Sequence, residues 1–497
     1  MNILTRVKDR MRSMMSGSSG VNHILAVSGA AIGAQGISLL VGPINSRLYR
    51  PLDYGVLAVF AATLSVFSEL ATMRYNEVLP IAEDETEGIH ILILCFLIAT
   101  AWAVLAASVV LLAGDSIVHW LAKGNPQMGH YLWFLPVGFF TTSVFTILSS
   151  WAIRKRAFMK LSVARINQSL LGSGCTVVMG LFRTGALGLL TGNFVATSTG
   201  VKKLSEIAYQ DWRAERARIS WAGVVQAAKR YYRYPLYTTW SAVMIQFSSQ
   251  IPVLFLTKGF GSEYAGYFSL CNRILTLPAT LIGNAISPVF FSRIKEAHEE
   301  GTLKTMTLRL LDAIVGIDIF FMMFLALFGD LFFSLVFGHQ WYRSGQYAAA
   351  LSPWLLTSFL VTPFYSLPLL FERQATVLVF QSTLLALRIG SMLLGIAMKN
   401  DLLAMWIFGG VSAVYMVCYL GWLLHLVQIP LWLPMRNLAR EILLALTLFG
   451  ACRMLLWLSH GNLYLTGAAL VPVLCYGGLR GLRQLQRARN PMAAGPA

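Results

Sequence analysis

The sequence predicts an all-α polytopic membrane protein of about fourteen transmembrane helices: two pseudo-symmetric six-helix lobes around a central cleft, plus two C-terminal helices. Three observations carry this expectation. Of 497 residues, 56% are hydrophobic and only 12% charged, whereas a soluble domain carries about 25% charged residues. Apolar stretches of about 20 residues, long enough to cross a bilayer, recur along the chain. Basic residues gather in every second connection, as the positive-inside rule asks of a multi-pass chain.

Taken in order, residues 1–22 form a basic Ser/Gly-rich tail, MNILTRVKDRMRSMMSGSSG and onward, without the short apolar core and cleavage site of a secretory signal. Spans are expected near 23–43, 54–77, 88–113, 130–151, 160–181 and 184–201, which make an N-lobe over 23–201. A basic amphipathic linker, 202–233, is suited to lie along the anionic inner leaflet. Spans near 234–257, 263–291, 306–329, 347–370, 375–398 and 402–427 make a C-lobe over 234–427. Two more, 438–458 and 462–479, precede a basic tail, 480–497. No connection is long enough for a folded extramembrane domain.

Orientation follows from the loops. With the N-terminus in the cytoplasm, 28 Lys and Arg fall on the cytoplasmic side and 7 on the other, with both termini inside. This asymmetry accounts for the net charge of +17 without nucleic acid as a partner. The acidic run Glu83–Glu87 lies on the same side and is expected to be a solvated loop. A shift of 211 residues places Gln35 on Gln246, Ser38 on Ser249 and Gly55 on Gly266, a faint repeat with six spans between copies. An even number relates the halves by an axis along the membrane normal.

The six cysteines all lie in apolar segments without a CxxC pair, so they predict buried small hydrophobes and neither a disulfide framework nor a zinc site. No phosphate-binding loop, HExxH or dinucleotide turn is present, and the histidines lack metal-ligand spacing. An enzyme, a cofactor and a resident metal are therefore not expected, nor is an ATP-driven pump.

The informative residues are the polar ones inside spans. Ser269, Arg273, Thr276, Thr280, Asn284 and Ser287 follow a helical period and form one polar seam. Arg165, Arg388 and Arg453 also fall in spans, with Arg47 and Arg74 at span ends. Charges at such depth normally face protein or a water-filled cavity. For Arg453, near a helix end, snorkelling to the interface is expected. The others suggest a cationic cleft fit for an anion, since a guanidinium fork binds phosphate in two-point fashion. Gln35, Gln246, Gln250 and Asn284 would add amide partners, whereas Glu69, Asp312 and Asp318 are the acids within spans. Asp312 and Asp318 are candidates for ion coupling, with a salt bridge to an arginine as the alternative.

Particular segments carry a family resemblance. Arg47–Gly55 (RLYRPLDYG) matches an R-L-Y-x-P-x-D-[FY]-G turn, and Arg74–Tyr75 begin an R-Y-E motif in which Asn76 replaces the acid and Ala82 stands where Pro is common. YPLY, SQIPVLFL, Arg273–Gly283 (RILTLPATLIG), VFFSR, SPWLL and FERQ extend the likeness over residues 25 to 425. The chain thus resembles the oligosaccharide flippases, the polysaccharide-transporter branch of the multidrug/oligosaccharidyl-lipid/polysaccharide exporter superfamily. The resemblance implies a bacterial inner-membrane protein that moves polyprenyl-diphosphate-linked oligosaccharide from the cytoplasmic to the periplasmic leaflet, for O-antigen, capsule or exopolysaccharide. It implies alternating access of two lobes, coupling to H⁺ or Na⁺ if transport is ion-driven, and a polysaccharide polymerase and chain-length regulator as partners. A drug or cation antiporter of the same superfamily is disfavoured by the cationic lining. A membrane-embedded polymerase or glycosyltransferase is disfavoured by the lack of a large outer loop.

A topology reporter fused after Lys160, or within 202–233, is expected to read cytoplasmic, and one near Lys399 periplasmic. A periplasmic signal from 202–233 would overturn the lobe assignment.

Overall fold

Bilayer interiors offer no water to backbone amides, so a chain this apolar must bond its backbone to itself. The computed structural model describes residues 20–122, 129, 131–459 and 468–481, and among these it is helical, without strands. The tails 1–19 and 482–497, and residues 462–467 of the last expected span, lie outside the described residues.

The helices are α1 (Gly20–Leu48), α2 (Pro51–Ser68), α3 (Glu85–Ala122), α4 (Phe134–Arg154), α5 (Phe158–Leu181), α6 (Ala186–Glu215), α7 (Trp221–Arg230), α8 (Thr239–Gly259), α9 (Ser262–Leu275), α10 (Leu277–Glu299), α11 (Leu303–Val336), α12 (Tyr342–Val361), α13 (Gln374–Ala397), α14 (Asp401–Leu426) and α15 (Trp432–Leu458). A shorter apolar helix, α16, covers Ala468–Gly481. Each expected span falls on one of these, except 263–291, which falls on α9 and α10, and 347–370, which continues from α12 through a tight turn (Thr362–Ser366) into a single helical turn (Leu367–Leu370). Nine helices among the described residues are long and apolar enough to cross a membrane. The chain is an all-helical multi-pass membrane protein.

Two compact units emerge, residues 1–250 with 261–263, and residues 251–260 with 264–497. The divide falls inside α8, and the stretch 202–233 belongs wholly to the first unit. In unit 1, Ile89, Leu92, Cys95, Ile147, Trp151 and Leu204 join α3, α4 and α6, while Val56, Phe60 and Phe139 join α2 to α4. Unit 2 has one larger core, with Ile314, Phe328, Phe359, Phe364, Leu423 and Phe449 among its members.

Three elements differ from the sequence expectation, each for a local reason. The second span stops at Ser68 and not at residue 77: from Glu69 to Met73 the backbone closes tight i→i−3 turns, and Met73 (φ 46°) and Arg74 (φ 61°) are left-handed, which keeps the helix from resuming. The expected span 263–291 is two helices with a break at Thr276, where Pro278 opens α10. Proline has no N–H to give the preceding turn and is tolerated at a helix start. The sixth span runs on to Glu215, so the candidate linker begins as a continuation of that helix. Its second half is α7, which buries Val224 and Ala227 and leaves Trp221 and Val225 exposed.

The cysteines are free: Cys95, Cys271 and Cys452 are buried, Cys175 half-buried, and Cys418 and Cys475 exposed on the helices that carry them. The expectation of burial thus holds for three of the six and fails for Cys418 and Cys475. Helix surfaces of a membrane protein accept such small apolar groups, since hydrocarbon lies outside.

Small residues set the closest crossings. A Cβ at Gly345 on α12 would lie 2.3 Å from the Gly329 carbonyl oxygen on α11, and one at Gly329 would lie 2.8 Å from the Gly345 oxygen. Membrane helices pack through such contacts, because lipid gives little hydrophobic drive between them. Gly345→Val is expected to cost about 1–3 kcal/mol through overpacking and to lower the yield and melting temperature of detergent-solubilised protein. Gly450→Ala, with nothing within 4 Å of the new methyl, serves as the neutral control.

Candidate functional site

Sorting the ionisable groups by what answers them locates the candidate site. In the turn between α1 and α2, most of the RLYRPLDYG motif is occupied with folding. The Tyr49 hydroxyl donates to the Thr176 carbonyl at 2.6 Å, and Asp53 accepts the Arg50 amide at 2.9 Å, which caps α2 behind Pro51. Gly55 leaves room for the backbone at Ser262, whose carbonyl oxygen would stand 1.7 Å from any Cβ there. Arg47, by contrast, projects as an exposed side chain. On α1, Gln35 is half-buried beside polar contacts to α5: Ser169 donates to the Ala34 carbonyl at 2.7 Å, and Asn45 to Thr176 at 2.9 Å.

At the other end of α2, Arg74 is held between Glu69, at 2.6 Å, and Glu77. The acid that the R-Y-E pattern places at position 76 stands one residue later, and Asn76 instead accepts from Thr72 at 2.5 Å. Tyr75 donates to the Ala228 carbonyl at 3.0 Å, which ties this turn to the segment after α6. Arg74 therefore brings no net cation to a ligand.

The run Glu83–Glu87, expected to be a solvated loop, is a set of counter-charges. Arg230 of α7 meets Glu83 at 2.5 Å and Glu87 at 2.9 Å. Lys155 meets Glu85 at 2.7 Å and Asp211 at 3.2 Å, and Trp151 donates to Asp211 at 3.0 Å. Partial burial works against the Lys155 charge, but its bonds to Glu85 and Asp211 outweigh this and raise it above the ordinary lysine range. Arg154 donates to the carbonyls of Leu79, Ala82 and Asp84 at 2.7–3.0 Å. His90 accepts the Ser220 amide at 3.2 Å and lies under Gly223, so α7 is docked on α3 by charge and by fit.

Arg165 on α5 differs from all of these. It sits seven residues into the helix, about 10 Å along its axis. It is half-buried, and no hydrogen bond or ion pair engages it among the described residues. On a helix that the sequence expects to span, its guanidinium has no protein anion against it among the described residues.

In unit 2, Arg273 lies in the last turn of α9 and is exposed, just before the break at Thr276. Along the expected seam, Ser269 and Ser287 are half-buried and Thr280 exposed. Thr276 donates to the Asn272 carbonyl at 2.7 Å and Thr280 to the Leu277 carbonyl at 2.9 Å. Their protons are thus committed to backbone, and the seam offers a ligand their oxygen lone pairs instead. The side chain of Asn284 lies outside the described residues. Gln246 and Gln250 are half-buried on α8, and Gln250 donates to Ser249 at 3.2 Å.

Arg388 was expected to face a cavity; the structure buries it within unit 2, 6% exposed. Its guanidinium lies 4.8 Å from the Trp354 ring centre and 5.3 Å from that of Phe408, and its Nε donates to Ser412 at 3.4 Å. Aromatic faces stabilise a desolvated cation, and here they stand in the place of a carboxylate. Arg453 does not snorkel freely, because Asp330 takes it at 3.0 Å. Asp312 is exposed and accepts from Asn437 at 3.0 Å, whereas Asp318 is wholly buried.

Comparison with known proteins places this arrangement. The model of a family described as "Polysaccharide biosynthesis protein" matches residues 44–346. The chain belongs to that family. Within it, the turn at Arg47, the Arg74 loop, Arg165 and Arg273 all lie in the matched region. A curated relative, the succinoglycan biosynthesis transport protein ExoT of Rhizobium meliloti (strain 1021), is 22% identical over 314 residues, 62% of this chain. The match spans 60% of that protein's length. The lipid II flippase MurJ in its inward closed conformation is 12% identical, with 94% of this chain and 99% of that chain covered and a TM-score of 0.69. An inward-facing multidrug resistance MATE family transporter of the MOP superfamily is 15% identical over 83% of this chain and 96% of its own, at a TM-score of 0.53. These likenesses establish the fold.

Charge reversal at Arg230 (R230E) is expected to raise hydrogen exchange across α7, and reversal of Glu83 and Glu87 to lysine in the same chain to restore part of the protection. Unchanged exchange in R230E would show that the Val224 and Ala227 contacts hold α7 alone.

Proposed function

We propose that this chain is a flippase, moving polyprenyl-diphosphate-linked oligosaccharide from the cytoplasmic to the periplasmic leaflet of a bacterial inner membrane for cell-surface polysaccharide assembly. Membership of the polysaccharide biosynthesis family, and the fold it shares with MurJ and MATE proteins, support a carrier of this general kind. One observation carries the substrate class. Arg165, inside a span, is reachable and unanswered by protein, and a diphosphate gives its fork the paired oxygens it can hold. A cationic drug would be repelled there.

In this reading Arg165 holds the diphosphate during passage, and the exposed Arg273 and Arg47 are further anion contacts on the route. Sugar hydroxyls find acceptors at Thr276 and Thr280 and amides at Gln35, Gln246 and Gln250. The polyprenyl tail stays in hydrocarbon throughout, so only the polar head needs a wet path, and the protein works by alternating access. Both chain ends face the cytoplasm, as the loop charges require. Arg74 and Arg388 take no part in substrate binding, the first because two carboxylates hold it and the second because it is enclosed by aromatic rings.

The test is transport of lipid-linked oligosaccharide per correctly inserted molecule, in a strain lacking the chromosomal copy. Arg165→Ala is expected to lower it about tenfold or more, the loss of one charge-assisted pair worth about 1.5–3 kcal/mol. Arg165→Lys should recover little, since an ammonium lacks the fork. Arg388→Ala, in contrast, should reduce protein abundance and leave transport per molecule close to normal. Normal specific transport in both Arg165→Ala and Arg273→Ala would sink the reading.

A further inference from the structure

Asp318 sits deep in α11, fifteen residues from its start, about 23 Å along the helix axis. Its side chain is 0% exposed, and neither carboxylate oxygen has a hydrogen-bond partner among the described residues. The arginine that the sequence suggested as a partner is not there: Arg388 is stacked on aromatics and Arg453 is taken by Asp330. Such a group asks for an explanation, because structures seldom leave a buried polar atom unbonded.

Its surroundings narrow the choice. Asp318 shares a helix face with Met322, Leu325 and Gly329, at steps of four, three and four. Gly329 marks where α11 crosses Gly345 of α12. The short connection 337–341 turns α12 back along α11, so Asp318 falls at the level of Ser352 to Phe359. Those residues are apolar but for Ser352, which donates to the Ala348 carbonyl at 2.5 Å, the indole N–H of Trp354, which is buried without a partner among the described residues, and Thr357 and Ser358; Thr357 also donates to backbone, at 2.9 Å. Ile314, Val315, Ile319 and Phe320 beside Asp318 belong to the same apolar cluster as Phe359 and Leu360.

Charged and titratable groups on the elements packed against α11 have other partners or lie at its ends. On α12 these are Arg343 and Tyr347, both bonded to Asp401. On α15 they are Arg436, Arg440, Glu441 (bonded to Arg480 of α16), Cys452 and Arg453, and α16 adds Cys475 and Tyr476, the latter accepting from Arg480. The C-terminal part of α10 carries Arg293, Lys295, Glu296, His298 and Glu299, and the connection to α12 carries His339. None of them forms a hydrogen bond with Asp318. A bare carboxylate is not sustained in such a place. A metal cation would call for several oxygen ligands, which this apolar stretch does not assemble. A proton calls for one.

We propose that Asp318 is a proton-carrying site at the contact of α11 and α12, and that its loading and unloading couples a proton gradient to transport. The step is one O–H bond: Asp318 loses its proton to water admitted when the contact loosens towards one side, and the carboxylate takes a proton back from water on the other. No electrons move. The role in coupling rests on the transport reading above; the proton occupancy does not.

Two arms of one experiment, on the full chain in liposomes, separate these. Infrared spectra without substrate are expected to show a protonated-carboxyl C=O band that shifts in heavy water, is lost in Asp318→Asn and in Asp318→Leu, and is kept in Asp312→Asn. With lipid-linked oligosaccharide present, an imposed proton gradient should speed wild-type transport severalfold, while Asp318→Asn and Asp318→Leu stay at the gradient-free rate. A wild-type spectrum identical to that of Asp318→Asn, or gradient stimulation that survives in both variants, would overturn the proposal. Transport absent from every protein, with the Asp318 band present, would fail the flippase reading and uphold the proton site.

Discussion

A charge carried into hydrocarbon must meet a counter-charge, an aromatic face, a proton or water, and the arrangement of this protein's ionisable groups follows from that demand. Arg388 meets two aromatic rings, Arg453 meets Asp330, and Arg343 meets Asp401 in a two-point pair at 2.6 and 2.9 Å. These contacts join helices that are remote in sequence, Arg388 from α13 to α12 and α14, and Arg343 from α12 to α14. For Arg388 the contact is more than a local bond, because breaking it strands a buried charge, whereas Arg343 and Arg453 keep part of their side chains exposed. Stability of unit 2 and the placement of its polar groups are one problem. Arg165 and Asp318 are left without such a partner among the described residues.

At the membrane surface the demand relaxes and the same residue types take a different role. Glu83, Glu85 and Glu87 neutralise Arg230 and Lys155 in a partly wet setting, where single pairs contribute little to stability. Their value is positional. They set α7 across the start of α3, with Tyr75 and His90 beneath it, and so decide how the chain leaves α6 and enters α8. The segment that hydropathy marks as a basic linker is thus a seated part of unit 1.

Much of the fold was legible in the sequence because bilayer thickness fixes helix length and loop charge fixes sidedness. What was not legible has short-range or three-dimensional causes. The early end of α2 depends on two left-handed residues, Met73 and Arg74, that hydropathy averages away. The break between α9 and α10 had a visible signal in Pro278, within an apolar run that masked it. For the site, the chain shows which arginines lie in spans but not their neighbours. Arg388 looked as available as Arg165, and the rings of Trp354 and Phe408, 34 and 20 residues away in sequence, distinguish them. Glu83, Glu85 and Glu87 looked idle because their partners lie near 155 and 230.

The family motif separates in the same way. In RLYRPLDYG, Tyr49, Asp53 and Gly55 are each engaged in building the corner between α1 and α2, through a hydroxyl bond, a cap and a close backbone approach. A match to that motif reports that the corner is built, which is a statement about fold, and within it the side chains of Arg47 and Arg50 are exposed. Substrate choice must therefore be sought among residues that the motif does not contain. Arg165 and the seam that continues from Arg273 lie on separate helices, and their neighbours can vary without disturbing the corner. On the flippase reading proposed above, the corner stays constant while polar side chains outside the motif are free to differ with the cargo.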